Sequence, residues 1–257
     1  MKNIFKSIFF ILLFSTNLIS SKAEESSHKL LSESWSFKGF FGKFDRSSLQ
    51  RGYQVYNEVC AACHSMKYLS YRNLSEPGGP EFSEKQAKII ASQFEVIDGP
   101  NNDGEMFTRP ARLSDNFVEP YANEQEATAA NGGAYPPDMS VLVKARQGGA
   151  DYIYSVLMGY EDPPEGFSLD DGVYYNKYMS GNKIMMSEPL LDDSVTYMDN
   201  TPATKEQMAK DVVTFLAWSA EPELEVRKKL GIKVILFFVI IGFLFYLAKL
   251  RLWRNLN

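Results

Sequence analysis

Cys60-Ala61-Ala62-Cys63-His64 constrains this chain more than any other stretch of its 257 residues. Two thiols with two residues between them, followed at once by an imidazole, have the spacing of covalent c-type haem attachment. The spacing has a geometric cause. Cys60 and Cys63 lie about one helical turn apart, so each sulfur can reach one vinyl group of a single porphyrin. His64 then projects beside the macrocycle, where a ring nitrogen can take the iron's proximal position. A zinc site needs four ligands, whereas the chain holds two cysteines and two histidines in all, with His28 in a polar stretch. A redox dithiol would want a βαβ pattern, and the histidine adds nothing to it.

Both ends carry membrane signals. Lys2 and Lys6 precede an apolar run from Ile8 to Phe14, and Ser21-Lys22-Ala23 offers a small-x-small cleavage site. These are the parts of a secretory signal over residues 1–23, too short in its apolar run to span a bilayer. At the other end, Gly231 to Ala248 is apolar except for Lys233, and Lys249, Arg251, Trp253 and Arg254 follow. About twenty residues at 1.5 Å each cross a hydrocarbon core of about 30 Å. Residues 227–250 are thus expected to form one anchor helix and 251–257 a short cytoplasmic tail. Basic residues at the two ends of the anchor do not by themselves set its direction, so the export signal places the head, residues 24–226, outside the cytoplasm.

Charge is uneven once these segments are set apart. The head keeps 17 of the 27 basic residues and all 32 acidic ones, a net charge of about −15. That excludes nucleic acid as a partner on electrostatic grounds and favours a basic protein partner.

Along the head, helical signals are modest in number. Ser47 to Val59 places Leu49, Tyr53 and Tyr56 at helical spacing and delivers Cys60. Ser83-Glu84-Lys85-Gln86 is a capping box, and Asn123-Glu124-Gln125-Glu126 opens a short alanine-rich helix. Gly149 to Met158 is apolar on one face. Thr201-Pro202, cap and first-turn proline, precede a stripe of Met208, Val212, Phe215 and Leu216 that predicts packing on the first helix. Between these lie turn-rich stretches with weak strand alternation. The expected fold is mainly α: one cytochrome c-like haem domain with long loop insertions, plus one C-terminal transmembrane helix.

An electron carrier closes both axial positions of its iron, whereas a peroxidase or gas binder keeps one open. With His28 near the terminus, the second ligand by count is a methionine. Met66 is too near the motif, and Met158 and Met208 lie on helical core faces, the usual place for methionine. Met139, Met185 and Met186 lie in irregular segments beside prolines and remain as candidates.

Several blocks carry a resemblance. Arg51-Gly52-Tyr53-Gln54-Val55-Tyr56 leading into the haem motif, Tyr71-Arg72-Asn73-Leu74, Met106-Phe107-Thr108-Arg109-Pro110 and Ala130 through Asp138 resemble the cytochrome c1 family of the cytochrome bc1 complex. So do Lys144-Ala145-Arg146, Gly149-Ala150-Asp151-Tyr152, Tyr174-Tyr175-Asn176, Gln207 through Val213, Phe215-Leu216-Ala217-Trp218 and Ala220-Glu221-Pro222. The resemblance covers nearly the whole mature chain and, with the export signal, implies an alphaproteobacterial type. It implies Met186 as the axial sulfur, in Ile184-Met185-Met186-Ser187-Glu188-Pro189. Here the chain departs from the family twice. Met185 stands where a small residue is usual, and Ser187 and Glu188 replace prolines, so the loop is expected to be less rigid. The resemblance also implies that Arg146 and Tyr152 lie near the haem propionates and that Pro136-Pro137 lies against the haem on the His64 side. A carbonyl in that segment would accept the second N–H of His64.

The implied function is a redox subunit of quinol–cytochrome c oxidoreductase with one covalent haem c and no independent substrate-transforming site. Its implied partners are cytochrome b, the Rieske iron–sulfur protein, an acceptor c-type cytochrome and membrane lipid. The implied location is a bacterial inner membrane, with the head in the periplasm. Two rival expectations are a free-standing membrane cytochrome and a haem peroxidase with an open distal site.

Overall fold

The structure is a computed structural model and describes residues 28–254; the expected signal at 1–23 lies outside them. Among the described residues the fold is mainly α, with six α-helices and two small two-stranded sheets.

Helix α1, Arg46–Glu58, starts where the Asp45 carboxylate accepts from Ser48 N at 2.8 Å. It buries Leu49, Gly52, Tyr53, Val55 and Tyr56, a stripe at helical spacing that marks the core face. Helix α5, Lys205–Ala220, supplies the opposing face with Met208, Val212, Phe215 and Leu216, each essentially buried. The two helices cross at Gly52. A Cβ there would lie 2.1 Å from the Asp211 carbonyl oxygen and 2.8 Å from Phe215 Cβ, so only glycine permits this approach. Tyr53 and Tyr56 then meet the Phe215 ring at 5.7 and 5.9 Å between centroids.

A polar clamp locks the crossing. Asp211 is fully buried, yet it accepts from Ser48 Oγ at 2.6 Å, Arg51 Nε at 2.8 Å, Arg51 Nη2 at 3.1 Å and Gln207 Nε2 at 3.0 Å. A buried carboxylate is tolerated when donors replace its lost water. Arg51 extends the clamp to Asp199 at 2.8 Å. Burial works against the guanidinium's charge, but the hydrogen bonds to Asp211 and Asp199 raise its pKa overall.

Around this pair the chain is looser. Helices α2 (Glu84–Ala91) and α3 (Glu124–Ala130) are opened by the Ser83–Gln86 capping box and by Asn123, as their sequences predict. Helix α4, Ala150–Met158, packs on α5. The cap of α5 departs from expectation: it is Thr204, whose hydroxyl accepts from Gln207 N at 3.2 Å, not Thr201. Thr201 N instead donates to Asp199 at 3.0 Å in the preceding turn. Strands β1 (Glu95–Asp98) and β2 (Phe107–Pro110) pair antiparallel, as do β3 (Tyr174–Tyr175) and β4 (Lys183–Ile184). Helix α6, Leu224–Trp253, leaves the head as a continuous rod, long and apolar enough to cross a membrane, with no residue of its apolar stretch buried.

Candidate haem site

The attachment turn follows α1 directly. Cys60–Ala62 forms one 3₁₀ turn, closed by Cys63 N and His64 N donating to the Cys60 carbonyl at 3.1 and 2.9 Å. Both cysteines are free and half-buried. Burial, with Cys63 beside it, pushes the Cys60 thiol up to about 12 and keeps it protonated.

His64 is buried, and its Nδ1 lies 2.8 Å from the Pro137 carbonyl oxygen. A carbonyl can only accept, so Nδ1 carries the proton and Nε2 keeps its lone pair. Burial pulls the imidazole pKa below its ordinary value, against the Pro137 bond and the Asp138 charge, so the ring is neutral at physiological pH. The backbone here is fastened from several sides. Tyr56 Oη donates to the His64 carbonyl at 3.1 Å, and Met139 N donates to the Ser65 carbonyl at 2.9 Å. Asp138 accepts from Ser65 Oγ, Lys67 N and Ser140 N, each at 2.9 Å. Tyr68 N reaches Ser140 Oγ at 3.1 Å, and Ser219 of α5 donates to the Ser140 carbonyl at 3.1 Å. Met139 is buried on this same side, beside Ser65.

Next to Cys63, Tyr121 Oη sits 3.9 Å from its sulfur and accepts from Asn131 Nδ2 at 3.1 Å. Cys63 and Tyr121, with Lys67, Tyr135 and Pro136, edge a cleft of about 310 Å³.

The second sulfur region follows β4. Met185 is 41% exposed and lies against Gly132, whereas Met186 is half-buried. The Met186 carbonyl accepts from Tyr160 Oη at 3.0 Å. Glu188, two residues on, ion-pairs with Lys205 at the start of α5. Tyr152 Oη donates to Met179 Sδ at 3.3 Å, and the exposed Arg146 donates to the Ala145 carbonyl at 3.3 Å. The structure thus brings His64 and Pro137 together. Tyr152 and Arg146 bond to Met179 and to the Ala145 carbonyl.

Asp138, Tyr121, Asn131 and Tyr160 were not singled out from the sequence. Asp138 had a signal, since an aspartate after prolines often caps a turn. Tyr121 and Tyr160 had none, because each contact spans a long stretch of chain.

The donor set fits a haem c. Two free thiols on one tight turn, and an imidazole with one nitrogen satisfied and the other open, are what its attachment needs.

The profile of the Cytochrome C1 family matches residues 35–256. The chain belongs to the cytochrome c1 family. It is 45% identical over 254 residues to the cytochrome c1 of Rhodospirillum rubrum, covering 93% of this chain and 92% of that relative. It is 50% identical over 225 residues to "Cytochrome c1 1, heme protein, mitochondrial" of Arabidopsis thaliana, covering 87% and 71%. It is 47% identical over 262 residues to "Cytochrome b/c1" of Bradyrhizobium diazoefficiens, covering 95% of this chain but only 38% of that longer relative. As a cytochrome c1, the chain is a haem protein with one covalently bound haem c.

Proposed function

We propose that this cytochrome c1 is the electron-transfer subunit of a quinol–cytochrome c reductase complex. In this reading it takes single electrons from a Rieske iron–sulfur protein and delivers them to a c-type cytochrome. Cytochrome b is its membrane partner, its head (24–226) faces the periplasm, and residues 227–250 hold it in the inner membrane. The bound haem supplies reversible one-electron storage on iron. Cys60 and Cys63 would hold the group by thioethers, and His64 Nε2 and Met186 Sδ would be the two donors to its iron. Arg146 and Tyr152 would serve its propionates.

The observation that carries this reading is the His64–Pro137 hydrogen bond. It fixes the tautomer and the ring plane and raises the donor strength of Nε2. A neutral, buried, oriented imidazole needs little rearrangement when the charge on its partner changes. The thioether sulfur favours the reduced state and so raises the potential, which suits an acceptor placed after a quinol. The acidic head attracts a basic cytochrome at steered rates and releases it readily.

Purification in mild detergent tests the reading. Cytochrome b and a Rieske subunit should accompany the chain, and the oxidised product should resist cyanide and show a sulfur-to-iron charge-transfer band. Isolation without those subunits would leave a free-standing membrane cytochrome. Immediate cyanide binding without the band would indicate an open distal site.

A further inference from the structure

Phe40 and Phe41 are 57% and 78% exposed and adjacent, with ring centroids 5.0 Å apart. Solitary exposed apolar side chains are common, but two neighbouring phenylalanines projecting together mark a contact surface. Their position names the surface. A cleft of about 250 Å³ is shared by Phe40, Phe41 and Lys43 from the loop and by Lys228, Lys229 and Ile232 from α6. The aromatic pair therefore reaches down α6 to the level of Ile232, where the apolar stretch of that helix begins. Lys43 and Lys229, both exposed, stand at the same height. Aromatic rings beside lysines, at the depth where an apolar helix starts, form the side-chain pattern of a bilayer interface.

The loop is also fixed to the helix. Lys228 Nζ donates to the carbonyls of Phe37 and Gly42 at 2.7 and 3.1 Å. Glu225, buried in the first turn of α6, accepts from Phe44 N at 3.0 Å and from Arg46 Nη1 and Nη2 at 2.9 and 3.0 Å. Burial pushes the Glu225 carboxyl up, but the Arg46 and Phe44 donors outweigh it and hold the group ionised. The loop flanking the pair is thereby clipped to the axis of α6.

We propose that Phe40 and Phe41 form a second membrane foot of the head, inserted into the phospholipid interface beside α6. With Lys228 and Glu225 as clips, this foot sets the tilt of the haem domain over the bilayer. The proposal rests on the reading that α6 spans the membrane.

A collision experiment on the full-length holoprotein tests both separately. The native cysteines belong to the attachment turn, so a third cysteine can be spin-labelled selectively. Labels are placed by Phe41→Cys, by Tyr68→Cys on the exposed head, and by Phe243→Cys in the apolar stretch of α6. The complex is reconstituted in phosphatidylcholine–phosphatidylglycerol vesicles, and relaxation by oxygen is compared with relaxation by a water-soluble nickel chelate. The expected oxygen-to-nickel ratio at position 41 is several-fold above that at 68 and below that at 243. A ratio at 41 equal to that at 68, with 243 high, overturns the foot and leaves the span intact. An aqueous ratio at 243 overturns the span and the foot with it. A label at 41 that is immobile and shielded from both reagents means that another subunit covers the pair, which also overturns the proposal.

Discussion

Around His64, five hydrogen bonds join residues 64–68 to residues 137–140, mostly backbone to backbone or backbone to a short side chain. Around Met186, the backbone ladder of β3 and β4 ends at Ile184, and beyond it the ties are long side chains: Tyr160 to the Met186 carbonyl and Lys205 to the neighbouring Glu188. Short ties restrict atoms closely because few bonds rotate between the anchor and the ligand. Long ones leave slack. The imidazole side is therefore held in place by the protein alone, whereas the loop carrying Met186, the proposed sulfur donor, keeps slack. An axial position with slack is also the one through which stability and potential are most easily altered without disturbing attachment.

Replacing the proposed ligands should break this contrast most severely. His64→Ala should abolish normal holoprotein assembly, and Cys60→Ala or Cys63→Ala should leave at most one thioether. Acid–acetone extraction checks this: wild type keeps its haem in the protein fraction. On the other side, Met186→Leu should still yield attached haem, but high-spin or misligated and at a much lower potential, because the lost sulfur favoured the reduced state. Met185→Leu conserves volume, so it should cost under about 1.5 kcal/mol and keep the charge-transfer band. Loss of the band in the Met185 variant alone would move the ligand by one residue.

Two supporting residues sharpen the contrast at smaller scale. Asp138→Ala removes three part-buried hydrogen bonds, and at about 0.5–1.5 kcal/mol each it should lower stability by about 2–4 kcal/mol. Tyr160→Phe removes one hydrogen bond, worth about 1 kcal/mol, and should weaken the band more than it weakens the fold. Guanidinium unfolding, followed beside the band, separates the two effects. If Tyr160→Phe cost as much as Asp138→Ala, the two sides would be equally built.

Acid gives the mildest probe. Asp199 belongs to the segment between Met186 and α5, and the Thr201 N–H and Arg51 lower its carboxyl from 3.8 to about 2. A depressed carboxylate contributes stability that is whole above its unfolded value and is lost as pH falls through its folded value. Between about pH 4 and pH 2 the sulfur side should therefore loosen, read as fading of the charge-transfer band. Asp199→Asn should shrink that acid step. An unchanged step would assign the loss to other groups.

Much of this was open to inspection in the chain itself. The attachment turn, the stripe Met208–Val212–Phe215–Leu216 and the capping residues Ser83 and Asn123 are local patterns, and the structure forms the corresponding elements. The Gly52 crossing and the Arg51–Asp211 clamp were not legible, because they join residues about 160 apart. The cap at Thr204 was misjudged because Thr201-Pro202 is itself a good cap pair, and only the competing Asp199 turn disqualifies it. At the site, residue types pointed to His64 and to three methionines. The structure sets Met139 beside Ser65 on the His64 side, and the choice between Met185 and Met186 stays with the proposal above.

The glycine contact between α1 and α5 has a consequence for the order in which the molecule is made. Its two halves are separated by about 160 residues, and closing a loop of that length costs about 4–5 kcal/mol of chain entropy. Synthesis runs from the amino end, so the cysteine turn emerges long before the helix that will cover α1. A nascent α1 lacks the partner that buries Leu49, Tyr53 and Tyr56 for most of translation. Closure of the crossing therefore waits for α5, and until then the attachment turn is complete while the face of α1 that precedes it stays uncovered.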